Sequence, residues 1–501
     1  MRPALLFADG SAPAPQQPLA DRVAEDLGLA TVIDAMAAGD DFLAETARAV
    51  LLAASPGPED VAYRQAVLGD LQREPELSRE LYQLTGRALE AQRSAARTVY
   101  FDSPETVLNR SIVTLTAYVQ LLRELRALAD RYRPRVSSAG CHQFFAMVDD
   151  QFGEAYLEQA TIRIDQLRLD GNLLVSARLG TGNQSEGLTM RQSQRPARSL
   201  FRRSGTPKAT YKLPYGDEAA SRALGSLRDQ ALAGLAGAAD RSARHVLAFF
   251  DTLRTEVAFY LGCLNLREAL TRRGAAVCVP AVHDSAAREF AFRGLYDPGL
   301  QLRLDQPATA NDLDAGGRTL IMVTGANRGG KSTFLRSVGL AQLMAAAGGF
   351  VAAGAFTTAA RSGVYTHFTT DEDDALVSGK FDEELRRMSQ VADAIGPRGV
   401  LLCNESFQST NEREGSDIAR RIVDALTEAG VTVVFVTHLH ELAQGCYDDR
   451  ERFPATFLRA ERERSFRLRE AAPEATSHGA DLWGQSRERM LARILADRPA
   501  S

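Results

Sequence analysis

The 501-residue chain has only five cysteines, and no two of them form a C-x-x-C pair. Cys141, Cys263, Cys278, Cys403 and Cys446 are scattered, which argues against a disulfide framework or a thiolate zinc site and for a reducing, cytoplasmic setting. Long hydrophobic runs are missing too. The run Ala4 to Ala8 is broken by Asp9 and is too short for a secretory signal. The stretch from Val338 to Phe356 has Gln342 as its one strongly polar residue, yet it holds four glycines. It reads as a buried helix followed by a strand, so no membrane partner is expected. Neither sign of charge dominates: the net charge is −5, so any nucleic-acid contact must come from a local basic patch. With 45% hydrophobic and 25% charged residues the composition is that of a globular protein, and the length calls for two or three domains.

Two absences are local. No acidic residue occurs from Gly187 to Gly216, where Arg191, Arg195, Arg198, Arg202, Arg203, Lys208 and Lys212 alternate with Phe201, Tyr211 and Tyr215. Such a stretch could track a phosphate backbone, or be a solvated loop. No proline occurs from Tyr215 to Val279, where apolar residues keep helical spacing. One long helix, or two end to end, would make a mechanical lever.

The remainder falls into segments. Residues 1–24 are rich in Ala, Pro and Gln and read as a loose arm. Three- and four-residue spacing from Asp26 to Arg131 predicts a helical core, with Pro75 dividing two helices. Thr161 to Asp170 alternates with period two, Gly171-Asn172 offers a turn, and Leu173 to Ala177 follows, which predicts a β-hairpin. After residue 300 strands and helices alternate, as in a parallel sheet that binds ligands at its carboxyl edge.

That edge carries the strongest motif. The apolar run Leu320 to Val323 ends in Gly325, and Gly325-x4-Gly330-Lys331-Ser332 opens a helix-like run. This is the P-loop pattern between strand and helix: glycines let backbone N–H groups surround phosphate, Lys331 reaches the β- and γ-phosphates, and Ser332 holds Mg²⁺. ATP and Mg²⁺ are the expected ligands, with Asn327, Gly329 and Thr333 completing the loop. A second apolar strand, Val400 to Cys403, ends in Asn404-Glu405, and a third, Val431 to Val436, in Thr437-His438. Glu405 is placed to activate water, Asn404 to touch Mg²⁺ or its waters, and His438 to sense the γ-phosphate.

These motifs resemble the MutS DNA mismatch-repair family. Thr324-Gly-Ala-Asn327-Arg-Gly-Gly-Lys-Ser-Thr333 is similar to its T-G-P-N-x-x-G-K-S-T. Gly348 to Ala353 resembles G-x-[YF]-V-P-A, and Asp373 to Lys380 its D-D-L-A-S-G-[RK] loop. Asn404 to Gly415 aligns with D-E-x-G-R-G-T-S-T-x-D-G, Val434 to Leu442 resembles F-A-T-H-x-x-E-L, and Ser477-His-Gly479 resembles S-Y-G. More weakly, Arg64 to Leu77 is similar to the R-x-x-A-V…N-P-x-L segment of the family's helical core.

The resemblance implies a multidomain chain: an all-α core and lever with a β-rich clamp-like insert, then an α/β P-loop NTPase domain of the ABC type. The expected divisions are a loose arm 1–24, a helical core 25–154, a basic clamp-like insert 155–215, lever helices and connector 216–300, the ATPase domain 301–485 and a tail 486–501. It further implies a homodimer in which Ser409, Thr410 and Asn411 close the partner's nucleotide, and DNA as the ligand, duplex, mismatched or branched. The family's Walker B aspartate is Asn404 here and its signature serine is Asn411, which points to slow hydrolysis. No room for a mismatch-reading domain is expected ahead of residue 25, nor a nuclease domain after Ser501. A different class of function is an ATP-driven clamp or switch on a protein or ribonucleoprotein partner.

Overall fold

The computed structural model describes residues 2–8, 14–97, 103–168, 175–179, 181, 185–190, 218–284, 288–326, 329–369, 379–451, 454–461 and 465–474. Helices α1 (Ala20–Asp26), α2 (Leu29–Ala37), α3 (Asp41–Leu51), α4 (Pro58–Arg73), α5 (Pro75–Arg97), α6 (Pro104–Tyr132), α7 (Ala139–Gln151) and α8 (Glu154–Leu167) come first. Strands β1 (Val175–Leu179) and β2 (Ser185–Met190) and the 54-residue helix α9 (Glu218–Thr271) follow. Then come β3 (Ala281–His283), β4 (Phe290–Leu295), α10 (Pro298–Arg303), β5 (Asn311–Asp314), β6 (Leu320–Gly325), α11 (Lys331–Ala346), β7 (Ala355–Ala359) and β8 (Val364–Phe368). The last elements are α12 (Lys380–Ala394), β9 (Val400–Asn404), α13 (Glu412–Glu428), β10 (Thr432–Val436), α14 (His440–Asp448), β11 (Ala455–Ala460) and β12 (Leu468–Glu470). The chain is multidomain, helical in its N-terminal half and mixed α/β beyond. Pro75 opens α5 one residue after α4 ends, as a residue without a backbone donor should.

Two compact units form. One takes residues 1–4, 76–137 and 141–257, the other 5–75, 138–140 and 258–501. These boundaries differ from a division of the chain into successive segments: α1 to α4 belong with the sheets, not with the later helices of the expected core.

The first unit is built from α5 to α8, the hairpin and the first three quarters of α9. Its core is aromatic. Phe250 meets Tyr118 at 5.7 Å between ring centroids, and Phe249 meets Phe152 at 5.3 Å. The hairpin exists, but not at its expected place. Thr161 to Leu167 is helical, part of α8, and the strands pair from Val175↔Met190 to Leu179↔Ser185. α8 packs on α6, burying Leu157 and Ile164, one heptad apart, while Arg123 donates to Thr161 Oγ1 at 3.0 Å. That packing overrides the alternation, and Ile162, which a strand would have buried, is 48% exposed. The proposed turn at Gly171-Asn172 lies outside the described residues.

The second unit holds a six-stranded sheet of order β12-β11-β6-β10-β9-β8 and a four-stranded sheet of order β3-β7-β4-β5. All pairs of the larger sheet are parallel except β11 with β12. On one face Leu320, Met322, Leu401, Cys403, Val433 and Phe435 form a core with Met388 and Val391 of α12, Ala419 and Val423 of α13, and Leu442 and Ala443 of α14. On the other, α11 lies so close that a Cβ on Gly339 would stand 2.6 Å from Leu27 Cδ2 and 2.7 Å from Leu402 Cδ1. Gly339→Val is therefore expected to destabilise the unit by about 2–3 kcal/mol, read as a lower denaturation midpoint.

Residues 2–8 and 14–24 are packed, against the expectation of a loose arm. Leu5 and Leu6 are buried; Tyr260 donates to Leu5 O at 2.8 Å and Arg64 Nε to Leu6 O at 3.0 Å. Gln17 pairs its side-chain amide with the backbone of Val364 in both directions, at 2.8 and 3.1 Å, and so caps the edge strand β8. Among the described residues no helix is long and apolar enough to cross a membrane.

Candidate functional site

Register brings three strand ends to one place. Val436 of β10 pairs with Val323 of β6 and with Asn404 of β9, so Gly325, Glu405 and His438 follow at the same carboxyl edge. The turn after β6 is tight. Gly325 has φ 113°, and a Cβ there would stand 2.8 Å from the backbone N and O of Ala460 on β11. Gly330, at φ 88°, is the N-cap of α11 and supplies no side-chain cap, so the first-turn N–H groups remain donors for an anion. Asn327 lies outside the described residues.

Side chains from these elements meet. The buried Lys331 Nζ donates to Gly325 O and to Ala326 O, both at 3.0 Å, and stands 3.0 Å from His438 Nε2. Burial pushes its ammonium down from an ordinary 10.5 to about 8, with Glu405 opposing the shift. Glu405 Oε1 lies 3.5 Å from His438 Nε2. The adjacent imidazole, more than the Lys331 charge, holds the Glu405 carboxyl below the usual carboxylate range against the effect of burial. One nitrogen cannot accept from Lys331 and donate to Glu405 together, so the two contacts are alternatives for Nε2 set by its protonation. Ser332 Oγ donates to Asn404 Oδ1 at 3.0 Å.

Glu405 sits in the left-handed region, φ 57°. Its N–H donates to Val436 O at 2.9 Å and its carbonyl accepts from Thr369 Oγ1 at 2.7 Å. A non-glycine residue held in that conformation by its neighbours is a common sign of a functional position. Beside it opens a cleft of about 780 Å³, lined by Gly329, Gly330, Lys331, Ser332, Thr333 and Glu405, with a largely apolar wall that includes Tyr296, Leu300, Leu304, Pro307 and Phe466. That wall carries no sequence motif. Phe466, 48% exposed, packs beside Gly330, and two residues on Leu468 N–H donates to Asn311 Oδ1 at 2.8 Å.

Not every expected residue joins this group. Ser409 Oγ donates to Glu384 at 2.9 Å, Thr410 Oγ1 to Glu414, and Asn411 is the N-cap of α13, its Oδ1 accepting from Glu414 N at 2.9 Å. None of the three lines the cleft. Arg191, Arg195, Arg198, Arg202, Arg203 and Lys208 lie outside the described residues, as do Asp373-Asp374 and Ser477 to Gly479.

Two family models match this chain. One, described as the MutS2 N-terminal domain, matches residues 57–273; the other, MutS domain V, matches residues 321–468. The chain belongs to the MutS family. The DNA mismatch repair protein MutS of Chloroflexus aurantiacus is 29% identical over 204 residues, covering 36% of this chain and 21% of that protein. The protein of the same name from Porphyromonas gingivalis is 30% identical over 185 residues, with the same coverage. MutS protein homolog 4 of Mus musculus is 28% identical over 144 residues, 28% of this chain and 15% of that one. The chain thus matches about a fifth or less of the length of these curated relatives. Within the MutS domain V match lie Gly325, Lys331, Ser332, Asn404, Glu405 and His438, and also the strand pairing that aligns them.

Proposed function

We propose that the chain is a Mg²⁺-dependent ATPase of the MutS type that, as a dimer, couples ATP binding and hydrolysis to the clamping of DNA. The observation that supports this most is the meeting of Lys331, Ser332, Glu405 and His438 beside an open helix N-terminus. The N–H groups of the glycine turn and of α11 take the β- and γ-phosphates. Lys331 turns its ammonium from the loop carbonyls to the phosphate oxygens. Glu405, ionised at neutral pH, orients the attacking water and takes its proton. His438 faces the terminal phosphate.

Magnesium suits the donor set. Ser332 Oγ and Asn404 Oδ1 are hard oxygen donors 3.0 Å apart, and both are neutral, so most of the charge on the ion is met by the phosphates themselves. Ser332 would hold it, Asn404 would contact it or its waters, and the bound ion would neutralise charge developing on the phosphates. Asn404→Asp adds a carboxylate there. The Mg²⁺ concentration for half-maximal turnover is expected to fall about tenfold, within the few kcal/mol of a metal-facing charge. A metal titration of turnover checks this, and an unchanged midpoint removes Asn404 from the ion's surroundings.

DNA is the proposed ligand of the basic stretch at 191–208, with α9 as the lever between it and the nucleotide. Ser409, Thr410 and Asn411, which lie outside their own chain's cleft, are offered to the partner's nucleotide. Turnover measured with duplex, mismatched, branched and single-stranded DNA tests the reading. Replacing Arg195, Arg198, Arg202 and Arg203 by Gln is expected to flatten the salt dependence of DNA affinity by about three units of log–log slope. If the slope is unchanged, the second reading, an ATP-driven switch on a protein or ribonucleoprotein partner with weak hydrolysis, takes its place. The neutral Asn404 favours that alternative.

A further inference from the structure

The loop between β9 and α13 contains a problem of conformation. Glu405 and Phe407 both lie in the left-handed region, at φ 57° and 65°, and neither is glycine. Each such residue costs on the order of 1 kcal/mol, so something must hold the loop. From the sheet side Glu405 is held by its N–H bond to Val436 O and by Thr369 Oγ1 on its carbonyl.

The rest comes from a buried polar group under α12. Ser406 Oγ donates to His367 O at 2.8 Å and stands 2.7 Å from His367 Nδ1. His367 Nε2 is 3.0 Å from Glu384 O, and the imidazole stacks on the buried ring of Phe407 at 5.4 Å. Glu384 Oε1 accepts from the Ser409 hydroxyl at 2.9 Å, and the nearby Phe407 N–H favours the charged form of the same carboxyl. Its side chain is 4% exposed, and among the described residues its Oε2 has no hydrogen-bond partner. A buried carboxyl with one oxygen unsatisfied is a poor device for stability alone; an apolar side chain would fill the space better. What the carboxyl does is tie Ser409 to α12, while the Glu384 carbonyl meets the imidazole that stacks on Phe407.

We propose that Glu384 is a positioning residue that clamps the Glu405–Ser409 loop, so that Glu405 in the cleft and Ser409 outside it are held as one piece. This rests on the ATPase reading for its effect on turnover. Through Glu384 the residue that activates water shares its support with the loop offered to a second subunit. Closing contacts on Ser409 would thereby set the backbone of Glu405, and the reverse.

The test uses the full chain with Glu384→Ala, Glu384→Gln, Ser409→Ala and the Glu384→Ala/Ser409→Ala pair. Two quantities are read: ATP turnover alongside equilibrium binding of a fluorescent ATP analogue, and amide hydrogen exchange at Ser406 to Ser409. Glu384→Ala is expected to lower kcat by about tenfold or more, with nucleotide affinity within about threefold, the loss of roughly one charge-assisted hydrogen bond. Exchange at the Phe407 amide should rise by about tenfold. Glu384→Gln keeps an acceptor for the Ser409 hydroxyl and should restore most of both quantities. The double variant should be no worse than Glu384→Ala, since the two side chains act as a pair. Should Glu384→Ala fail to fold, Ser409→Ala alone carries the test with a smaller change in the same direction. Unchanged exchange at Phe407 in either variant, or equal losses for Ala and Gln, overturns the proposal. A wild type without ATP turnover would sink the ATPase reading instead, and the exchange measurement would still decide the clamp.

Discussion

Glu405→Gln is expected to lower single-turnover ATP hydrolysis by about 100- to 1,000-fold, the range for removing a positioned general base. Nucleotide affinity should stay within about threefold, because the proposed phosphate contacts are backbone N–H groups and Lys331 rather than a carboxylate. The separation follows from geometry. Glu405 lines the cleft, and its backbone is fixed by Val436 O and Thr369 Oγ1. Neither contact involves the side chain, so the amide takes the same place. What Gln loses is the proton-accepting oxygen that His438 and Lys331 hold ionised. Quench-flow with excess enzyme, beside equilibrium binding of a fluorescent nucleotide, measures the two effects apart. A fall of less than about fivefold would leave Glu405 without a chemical role. Because Asn404 supplies no negative charge, the wild-type rate itself is expected to be low, and the measured ratio is then the informative quantity.

How much of this was legible without coordinates depends on the range of the interaction. The glycine turn was legible because its requirement is local and steric: Gly325 cannot carry a Cβ against Ala460. The strands β6, β9 and β10 were legible as short apolar runs, and their order of chemistry, Lys331 then Glu405 then His438, follows once they lie parallel. The long α9 was announced by the absence of proline. Periodicity misled at Thr161 to Leu167, where burial of Leu157 and Ile164 on α6 decided for helix. Composition misled at the N-terminus, where Gln17 bonds to Val364, 347 positions away, and leaves no local trace. The His367–Glu384–Ser409 group was invisible for the same reason: each residue is an ordinary polar side chain until α12 and β8 place them together.

Lys331→Met should weaken ATP binding by about 100-fold or more, since truncating the charged partner of a buried phosphate contact costs about 2–5 kcal/mol. The same change should not lower stability. Burial holds the Lys331 pKa near 8, against 10.5 for an unhindered lysine, so folding disfavours its charged form at neutral pH. An apolar side chain of similar length removes that penalty, although Gly325 O and Ala326 O lose a donor. An unchanged or raised denaturation midpoint would therefore separate lost binding from lost fold. The direction of pH dependence follows from the same shift. The folded protein sheds the proton near pH 8 and the unfolded chain near 10.5, so this group's contribution to stability becomes less unfavourable as pH rises between the two. Binding runs the other way. Phosphate oxygens favour the charged lysine, so ATP binding above about pH 8 must take up a proton, and affinity should fall with rising pH by up to about tenfold per unit. Calorimetry at pH 8.5 in buffers of different ionisation enthalpy counts that proton directly. Its uptake in the wild type and its loss in Lys331→Met would assign the site to an anionic ligand through this one ammonium; equal uptake in both would put the proton elsewhere.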